Sequence, residues 1–225
     1  MNNETLLAIE TSTPLGSLAL LHKGNVSTRQ WHSNGSHSEV ITNELEALLT
    51  EAGSSLEDIN KVICGSGPGS FTGIRIGLNL AKSLCYSLDI PVYSFNTFQA
   101  LLAPQVGQFS GQAYCLVTAF RNLIYCAGYQ VEKDTKPEEV LAPSALTAEE
   151  LLNEINDDSL LLHNLPDLSD LESSNCKMIF TEPLAENFIQ LYKHLASELD
   201  PPKDWKQLTP LYVRASEAEE KLKSN

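Results

Sequence analysis

Basic residues are scarce in this chain. Its 225 residues include 15 lysines and arginines against 29 aspartates and glutamates, which gives a formal net charge of -14 at pH 7. Proteins that bind nucleic acid directly neutralise the phosphates with clustered lysine and arginine side chains. The composition therefore excludes unaided nucleic-acid binding, and any contact with nucleic acid is expected to go through a partner.

Long apolar runs and paired cysteines are also missing. No stretch approaches the ~18 uninterrupted apolar residues of a membrane span, and the opening "MNNETLLAIE" lacks the basic region of a signal peptide. Without a CxxC motif, the cysteines are expected to be reduced, buried and unable to form a zinc site. They are Cys64, Cys85, Cys115, Cys126 and Cys176. These features predict a cytoplasmic protein that makes no membrane contact.

The spacing of apolar residues indicates a mixed α/β protein. Residues 5–31 alternate as three antiparallel strands, and the order that follows is helix, strand, helix, strand, helix. Capping boxes are expected at Ser54 with Glu57 and at Thr147 with Glu150. Because the composition turns to Pro, Gln, Gly and Ser near residue 104, we place a domain boundary there, with no internal sequence repeat.

The most informative stretch is "GSGPGSFTGIRIGLNLAKS", residues 65–83. A glycine-rich loop between a strand and a helix N-terminus can hold an anion with its backbone N–H groups. The stretch matches neither the P-loop nor the Rossmann pattern, however, and it has no P-loop lysine. Its glycines would equally well provide a sharp turn. If the loop binds a nucleotide or another anion, the candidate residues are Gly67, Gly69, Ser70, Thr72 and Arg75.

A row of small residues continues from this loop into the helix. Gly69, Gly73, Gly77 and Ala81 are four residues apart and so share one helical face. Glycine inside a helix costs roughly 0.5–1 kcal/mol relative to alanine, which is expected to be offset by the close approach of another element. The spacing does not decide whether that element belongs to this chain or to a partner.

Three segments give a family resemblance. They are "LLAIETSTPLGSLAL", "SGPGSFTGIRIGLNLAKSL" and "IPVYSFNTFQALLA", and "PLYVR" at residues 210–214 fits too. In this order they resemble the bacterial TsaB (YeaZ) family, specifically over residues 5–104 and loosely beyond. The resemblance implies the ASKHA superfold of actin, sugar kinases and Hsp70. The fold class is then α/β with two ASKHA domains, 1–104 and 105–225, each a mixed five-stranded sheet with helices.

The resemblance also implies a function and partners. TsaB-like proteins are non-catalytic subunits needed to form N6-threonylcarbamoyladenosine (t6A) at position 37 of tRNA. They bind the paralogous TsaD transferase subunit, which a TsaE-type ATPase joins, so tRNA would be contacted only through the complex. ATP or ADP would lie at the interface with the partner, this chain having no cofactor of its own. Alone, the chain would form a homodimer through the same surface.

We expect the partner surface to combine the small-residue row with apolar and acidic side chains of the first two helices. The predicted interface residues are Val40, Ile41, Glu44, Gly69, Gly73, Ile74, Gly77, Leu78 and Ala81.

Departures from the family pattern argue against catalysis by this chain. The transferase paralogue carries an HxxxH metal motif whose positions here are Thr97 and Leu101, and these side chains cannot replace two imidazoles as metal ligands. No catalytic residue and no metal site are therefore predicted.

Glu10 stands where the superfold places an acid in its first hairpin. In the segment "TAFRNLIY" Arg121 is kept, but Ala119 replaces an acid found in relatives. The alternative function is an ASKHA ATPase or phosphotransferase that acts alone through the loop at 65–73.

Overall fold

A computed structural model gives the fold of the chain. It describes residues 4–33, 36–119, 122–133, 135–171, 174–195, 198–199, 202 and 204–214. The strands and helices of the first half are β1 (Thr5–Glu10), β2 (Leu15–His22), β3 (Asn25–His32), α1 (Ile41–Ala52), β4 (Lys61–Gly65), α2 (Phe71–Leu88), β5 (Val92–Phe95) and α3 (Thr97–Leu102).

The second half repeats this order with shorter helices. Its elements are β6 (Gly111–Thr118), β7 (Ile124–Val131), β8 (Glu138–Leu146), α4 (Ala148–Glu154), β9 (Leu160–His163), β10 (Lys177–Phe180) and α5 (Ala185–His194). None of the described helices is both long and apolar enough to cross a membrane.

The two sheets have the same topology. The first has the strand order β3-β2-β1-β4-β5, and the second has β8-β7-β6-β9-β10. In each sheet the first three strands pair antiparallel in chain order. The fourth strand pairs parallel with the first, and the fifth pairs parallel with the fourth. The prediction of two mixed five-stranded sheets of related topology is therefore confirmed.

Local sequence signals explain where several helices begin and end. Gly53 ends α1 in the left-handed conformation, at φ 62°, which glycine adopts without steric cost. The capping box of Thr147 and Glu150 opens α4, as predicted. The other predicted box is shifted by one position: Ser55 and Asp58 form it, because the Asp58 carboxylate accepts from the Ser55 N–H.

The sheets and helices stack in five layers. Alternate residues of β1 face opposite ways, so that Leu7 and Ile9 pack under α1 and α2 while Leu6 and Ala8 face the centre of the molecule. The central layer holds α3 and α5, the second sheet covers it, and α4 lies on the outer face. The inner helices are exchanged between the halves, since α3 contacts β6 and α5 contacts β1 and β2. The two sheets thus lie on either side of residue 104, but they share one hydrophobic core.

The end of the described chain returns to the first half. We call residues 204–214 the C-terminal segment. Its Leu208 is fully buried among the side chains that pack between α2 and the first sheet, and the N–H of Leu211 donates to the carbonyl of Ser66 at 2.7 Å. The segment therefore closes over the glycine-rich loop.

The cysteines are mostly part of the packed interior. All five are free, and Cys64, Cys85, Cys115 and Cys126 are buried as predicted, while Cys176 is partly exposed. Burial raises the pKa of the Cys85 thiol to about 11 and that of Cys126 to about 12. A thiol that stays protonated is a poor nucleophile, so these two side chains serve packing.

Candidate functional site

The glycine-rich loop joins the end of β4 to the start of α2. The helix begins at Phe71, and the hydroxyl of Ser70 caps it by accepting from the N–H of Gly73 at 3.2 Å. At its other end the loop is held to β5, because the N–H of Ser66 donates to the carbonyl of Phe95. The loop is therefore fixed at both ends by bonds within the chain.

The small-residue row packs against the turn that follows β1. A Cβ atom at Gly69 would collide with the carbonyl of Ser12, and one at Gly73 with the carbonyl of Thr11. The Thr11 hydroxyl lies over Gly77 and donates to the Gly73 carbonyl at 2.8 Å. The element that approaches these glycines closely is thus the turn after β1 of this chain, and not a partner.

This packing corrects much of the predicted partner surface. The residues turned into the interior are Ile41, Gly73, Ile74, Gly77, Leu78 and Ala81. They cannot contact a partner unless the fold opens, because they already fill the space between α1, α2 and the first sheet. A larger side chain at Gly77 would disrupt the chain's own packing and could not test an interface.

The outer face of α1 and α2 presents other residues. Thr72, Arg75 and Asn79 are exposed along α2, and beside them the apolar side chains of Ile76 and Leu80 are only partly buried. Two of the predicted interface residues, Val40 and Glu44, also remain partly accessible on the α1 side. The Glu44 carboxylate is paired with Arg29 at 2.8 Å. Any partner surface on these helices would consist of this outer face.

Three of the five residues predicted to bind an anion are engaged inside the chain, while Thr72 is exposed on α2. The Ser70 N–H donates to the carbonyl of Ser12 at 2.7 Å, and the Ser70 hydroxyl is used by the helix cap. Gly67 packs against the side chain of Ile74 and the carbonyl of Leu211. Arg75 turns to the C-terminal segment, where its Nε donates to the hydroxyl of Tyr212 at 3.0 Å. This arrangement favours the turn interpretation of the glycines over the anion-binding one.

A cleft of about 430 Å³ lies between the two sheets, at the edge where β1, β3, β6 and β9 end and β2 begins. Its lining residues are Ser12, Thr13, Pro14, Leu15, His32, Gly69, Ser70, Val117, Thr118, Asn164, Pro166 and Glu182. Among the described residues this lining includes the Glu182 carboxyl but neither lysine nor arginine, and burial raises the pKa of Glu182. Phosphates are usually held by basic side chains and free N–H groups, so the described part of the lining gives no support for a triphosphate site.

Glu10 does not reach the cleft, although it ends β1 near the position of the expected acid. Its side chain is fully buried, its Oε1 accepts from the Ser12 N–H, and its Oε2 packs on Gly65 without a hydrogen-bond partner among the described residues. Burial raises the pKa of this carboxyl to about 7. Glu10, which stands at about the superfold's acid position, therefore belongs to the interior of the protein.

The two positions of the paralogue's metal motif are occupied by packing residues. The Thr97 hydroxyl donates to the carbonyl of Pro68 at 2.8 Å and lies 2.9 Å from the hydroxyl of Ser12, while Leu101 is fully buried. Over the described ranges, no three His, Cys, Asp or Glu side chains group together closely enough to hold a metal ion. Ala119 is partly buried, and Arg121 lies outside the described residues.

Two features of the site were missed from the sequence. His37 is buried, and its Nδ1 accepts from the indole N–H of Trp31 at 3.0 Å, so that its Nε2 donates to the carbonyl of Thr13 at 2.9 Å. This fixes the ring and the turn after β1. The second feature is the C-terminal segment, for which the apolar and aromatic residues of "PLYVR" were the available signal.

Comparisons with known proteins bear on the family. The sequence model of the family described as "TsaD: tRNA N6-adenosine threonylcarbamoyltransferase" matches residues 32–220. Proteins named tRNA threonylcarbamoyladenosine biosynthesis protein TsaB are similar to this chain. The one from Bacillus subtilis is 34% identical over 56% of this chain and 55% of its own length. The one from Escherichia coli is 33% identical over 57% and 56%. The matched part of this chain thus spans about half the length of these curated relatives.

A solved structure shows the same fold along nearly the whole chain. YeaZ from Pseudomonas aeruginosa superposes with a TM-score of 0.80 and 22% sequence identity, over 93% of this chain and 99% of that one. The fold expected from the sequence is therefore that of a known structure.

Proposed function

The chain belongs to the TsaD family of tRNA N6-adenosine threonylcarbamoyltransferases, as a TsaB (YeaZ)-type member, and we propose that it is a non-catalytic subunit. In this role it binds and stabilises a TsaD-type transferase subunit, which forms t6A at position 37 of tRNA. The observation that carries the proposal is the identity of the residues at the paralogue's metal positions. Thr97 and Leu101 are packed into the interior and cannot supply imidazole ligands.

The proposed docking surface is the outer face of α1 and α2. Its partly buried apolar residues Val40, Ile76 and Leu80 would form the centre of the interface. The charges differ between the helices: α1 carries three glutamates and no basic residue, whereas α2 carries Arg75 and Lys82 and no acid before its cap. When two such surfaces are related by a twofold rotation, the acidic helix of each can lie against the basic helix of the other. A partner of the same fold can present such a surface.

The other partners follow from this assignment. A TsaE-type ATPase would join the pair, ATP or ADP would bind at the interface with the partner, and tRNA would be contacted through the complex in the cytoplasm. When the partner is missing, the same face would support a homodimer. The alternative of an independent ASKHA ATPase receives no support from the loop, since the Ser70 N–H and the Arg75 Nε bond within the chain.

The proposal is tested by reconstitution with a TsaD-type subunit. Calorimetry is expected to show a heterodimer, and Asn79→Trp on the exposed face of α2 should weaken it by more than about tenfold through steric exclusion. The matched control is Asn153→Trp, which alters an exposed asparagine of α4 in the second half and should leave the affinity unchanged. Both variants should keep the thermal midpoint of the wild type.

Activity is measured in the same preparations. The chain alone, with Mg-ATP, should hydrolyse no nucleotide and form no t6A, whereas the reconstituted pair with its ATPase should modify tRNA. Turnover of ATP by the isolated chain, or t6A formation without the transferase subunit, would contradict the proposal.

A further inference from the structure

The C-terminal segment is built into the first half of the molecule. Leu208 is buried in the core beneath α2, and Leu211 is bonded to Ser66 in the glycine-rich loop. These two anchors hold residues 208–211 in place, which brings the next residue, Tyr212, to the start of α2. Its position is therefore determined by the fold.

Tyr212 forms a cluster with two residues of α2. Its ring stacks on Phe71, with centroids 4.4 Å apart and planes inclined by 26°. The Arg75 guanidinium lies 5.9 Å from the ring centroid, and its Nε donates to the Tyr212 hydroxyl at 3.0 Å. Arg75 is exposed and the tyrosine retains 38% of its accessible surface. The cluster is therefore both ordered and available to a partner.

Its chemistry is typical of the centre of a protein interface. Tyrosine, phenylalanine and arginine are enriched in interfaces, and tyrosine and arginine in their hot spots. A cluster that is already stacked loses little side-chain entropy when it binds. Arg75 also gives this end of α2 a positive charge in a chain of net charge -14. An acidic side chain is the group that this surface would attract.

We propose that Phe71, Arg75 and Tyr212 form one end of the docking surface, and that the C-terminal segment contributes directly to binding the TsaD-type partner through an acidic side chain of that partner. The inference rests on the proposed function. Two observations identify the TsaD-type subunit as the partner of this cluster. Arg75 lies in the same exposed row as Thr72 and Asn79 on the proposed partner face, and its positive charge would attract an acidic side chain.

The test compares Tyr212 and Arg75 with an exposed aromatic residue and an exposed basic residue of the second half. Tyr212→Ala and Arg75→Glu should each weaken binding of the TsaD-type partner by about tenfold or more in calorimetry. The Arg75→Glu effect should shrink at higher salt because exposed charges are screened. Phe180→Ala is the control for the aromatic ring, since Phe180 is 59% exposed on β10 of the second half. Lys177→Glu, at an exposed position of β10, is the control for the charge, and both controls should bind as the wild type does.

The outcomes separate this inference from the proposed function. A wild-type chain that binds no TsaD-type subunit overturns both. A wild-type chain that binds, with both substitutions as tight as the controls, overturns the inference alone. A change in self-association, seen by ultracentrifugation, without a change in partner affinity assigns the cluster to a homodimer and is also contrary to the inference. If Tyr212→Ala unfolds the loop, Arg75→Glu at an exposed position decides the outcome.

Discussion

Glu10 shows how one residue can be positioned like a catalytic group and act in the interior instead. It ends β1 beside the cleft, yet its carboxyl is fully buried and one oxygen has no hydrogen-bond partner within the described ranges. Burial without a counter-charge disfavours the ionised form, and the pKa of Glu10 is accordingly raised to about 7. Between pH 4.5 and about 7, the Glu10 carboxyl is therefore protonated in the folded chain but ionised in the unfolded chain.

Glu10→Gln is expected to stabilise the protein above neutral pH. Between the ordinary glutamate pKa of 4.5 and about 7 the folded state binds more protons than the unfolded state, so wild-type stability falls as pH rises. A shift of this size corresponds to about 3 kcal/mol. Glutamine resembles the protonated acid and keeps the acceptor for the Ser12 N–H, so the variant should lose this part of the pH dependence.

Urea unfolding of both proteins at pH 4.5, 6 and 8 measures the effect. Glu46→Gln, at an exposed position of α1, serves as control, and its free energy of unfolding should change with pH in the same way as that of the wild type. A Glu10→Gln profile that stays parallel to the wild type across the same range would show that the buried carboxyl is ionised in the folded state.

The helix α2 and the C-terminal segment depend on each other. The helix is capped locally by Ser70, but the loop before it receives the Leu211 N–H on Ser66, and Gly67 packs under the Leu211 carbonyl. The segment in turn is secured by Leu208, which is buried in the core of the first half. The stability of the loop thus comes in part from residues more than 130 positions away.

Leu208→Ala tests this dependence. Removing a fully buried leucine side chain should cost about 2–5 kcal/mol, and the amides of Ser70 and Leu211 should exchange with solvent faster than in the wild type. Leu56→Ala, at a leucine that is 40% exposed, should change neither quantity appreciably. Unfolding measurements together with amide hydrogen exchange provide both readouts. Unchanged exchange at Ser70 in a destabilised Leu208→Ala variant would show that the segment does not support the loop.

The whole molecule is organised around the exchanged inner helices. Because α5 of the second half covers the inner face of the first sheet, Phe188 and Ile189 belong to the same core as Leu6 and Ala8. A partly exposed link lies at the edge of this contact, where Lys61 Nζ contacts the Glu4 carboxylate at 2.6 Å and the Tyr192 hydroxyl at 2.8 Å. Neither half closes the inner hydrophobic core by itself.

The fragment 1–104 is therefore expected not to fold by itself. Without α5 it leaves one face of the first sheet uncovered, and a small domain cannot offset its conformational entropy with an incomplete core. The full chain should unfold in a single calorimetric transition. Co-expressed fragments 1–104 and 105–225 should purify together, which controls for damage caused by the cut. A cooperative thermal transition of the isolated fragment 1–104 would contradict the shared core.

Short-range patterns were predicted well from the sequence. The strands before residue 33, the strand–loop–helix at residues 61–88 and the capping box at Thr147 rest on periodicity and on side chains that bond a few residues away. The candidate site was predicted less well. The loop was found, but Gly73 and Gly77 face the turn after β1 instead of a partner, and the chain carries a repeated topology without a repeated sequence.

The sequence by itself determined most of the elements and the chemistry that Thr97 and Leu101 exclude, because these depend on residue identity and local spacing. The family and the duplicated α/β architecture were expected from the resemblance of a few segments. Only the tertiary structure decided which side of α2 is buried, where Glu10 points, and that Tyr212 meets Phe71 and Arg75. Those contacts join residues 55 positions apart, as for Glu10 and Gly65, to 141 positions apart, as for Phe71 and Tyr212. Their energies depend on burial and on the exact approach of other elements, and no pattern along the chain encodes that approach.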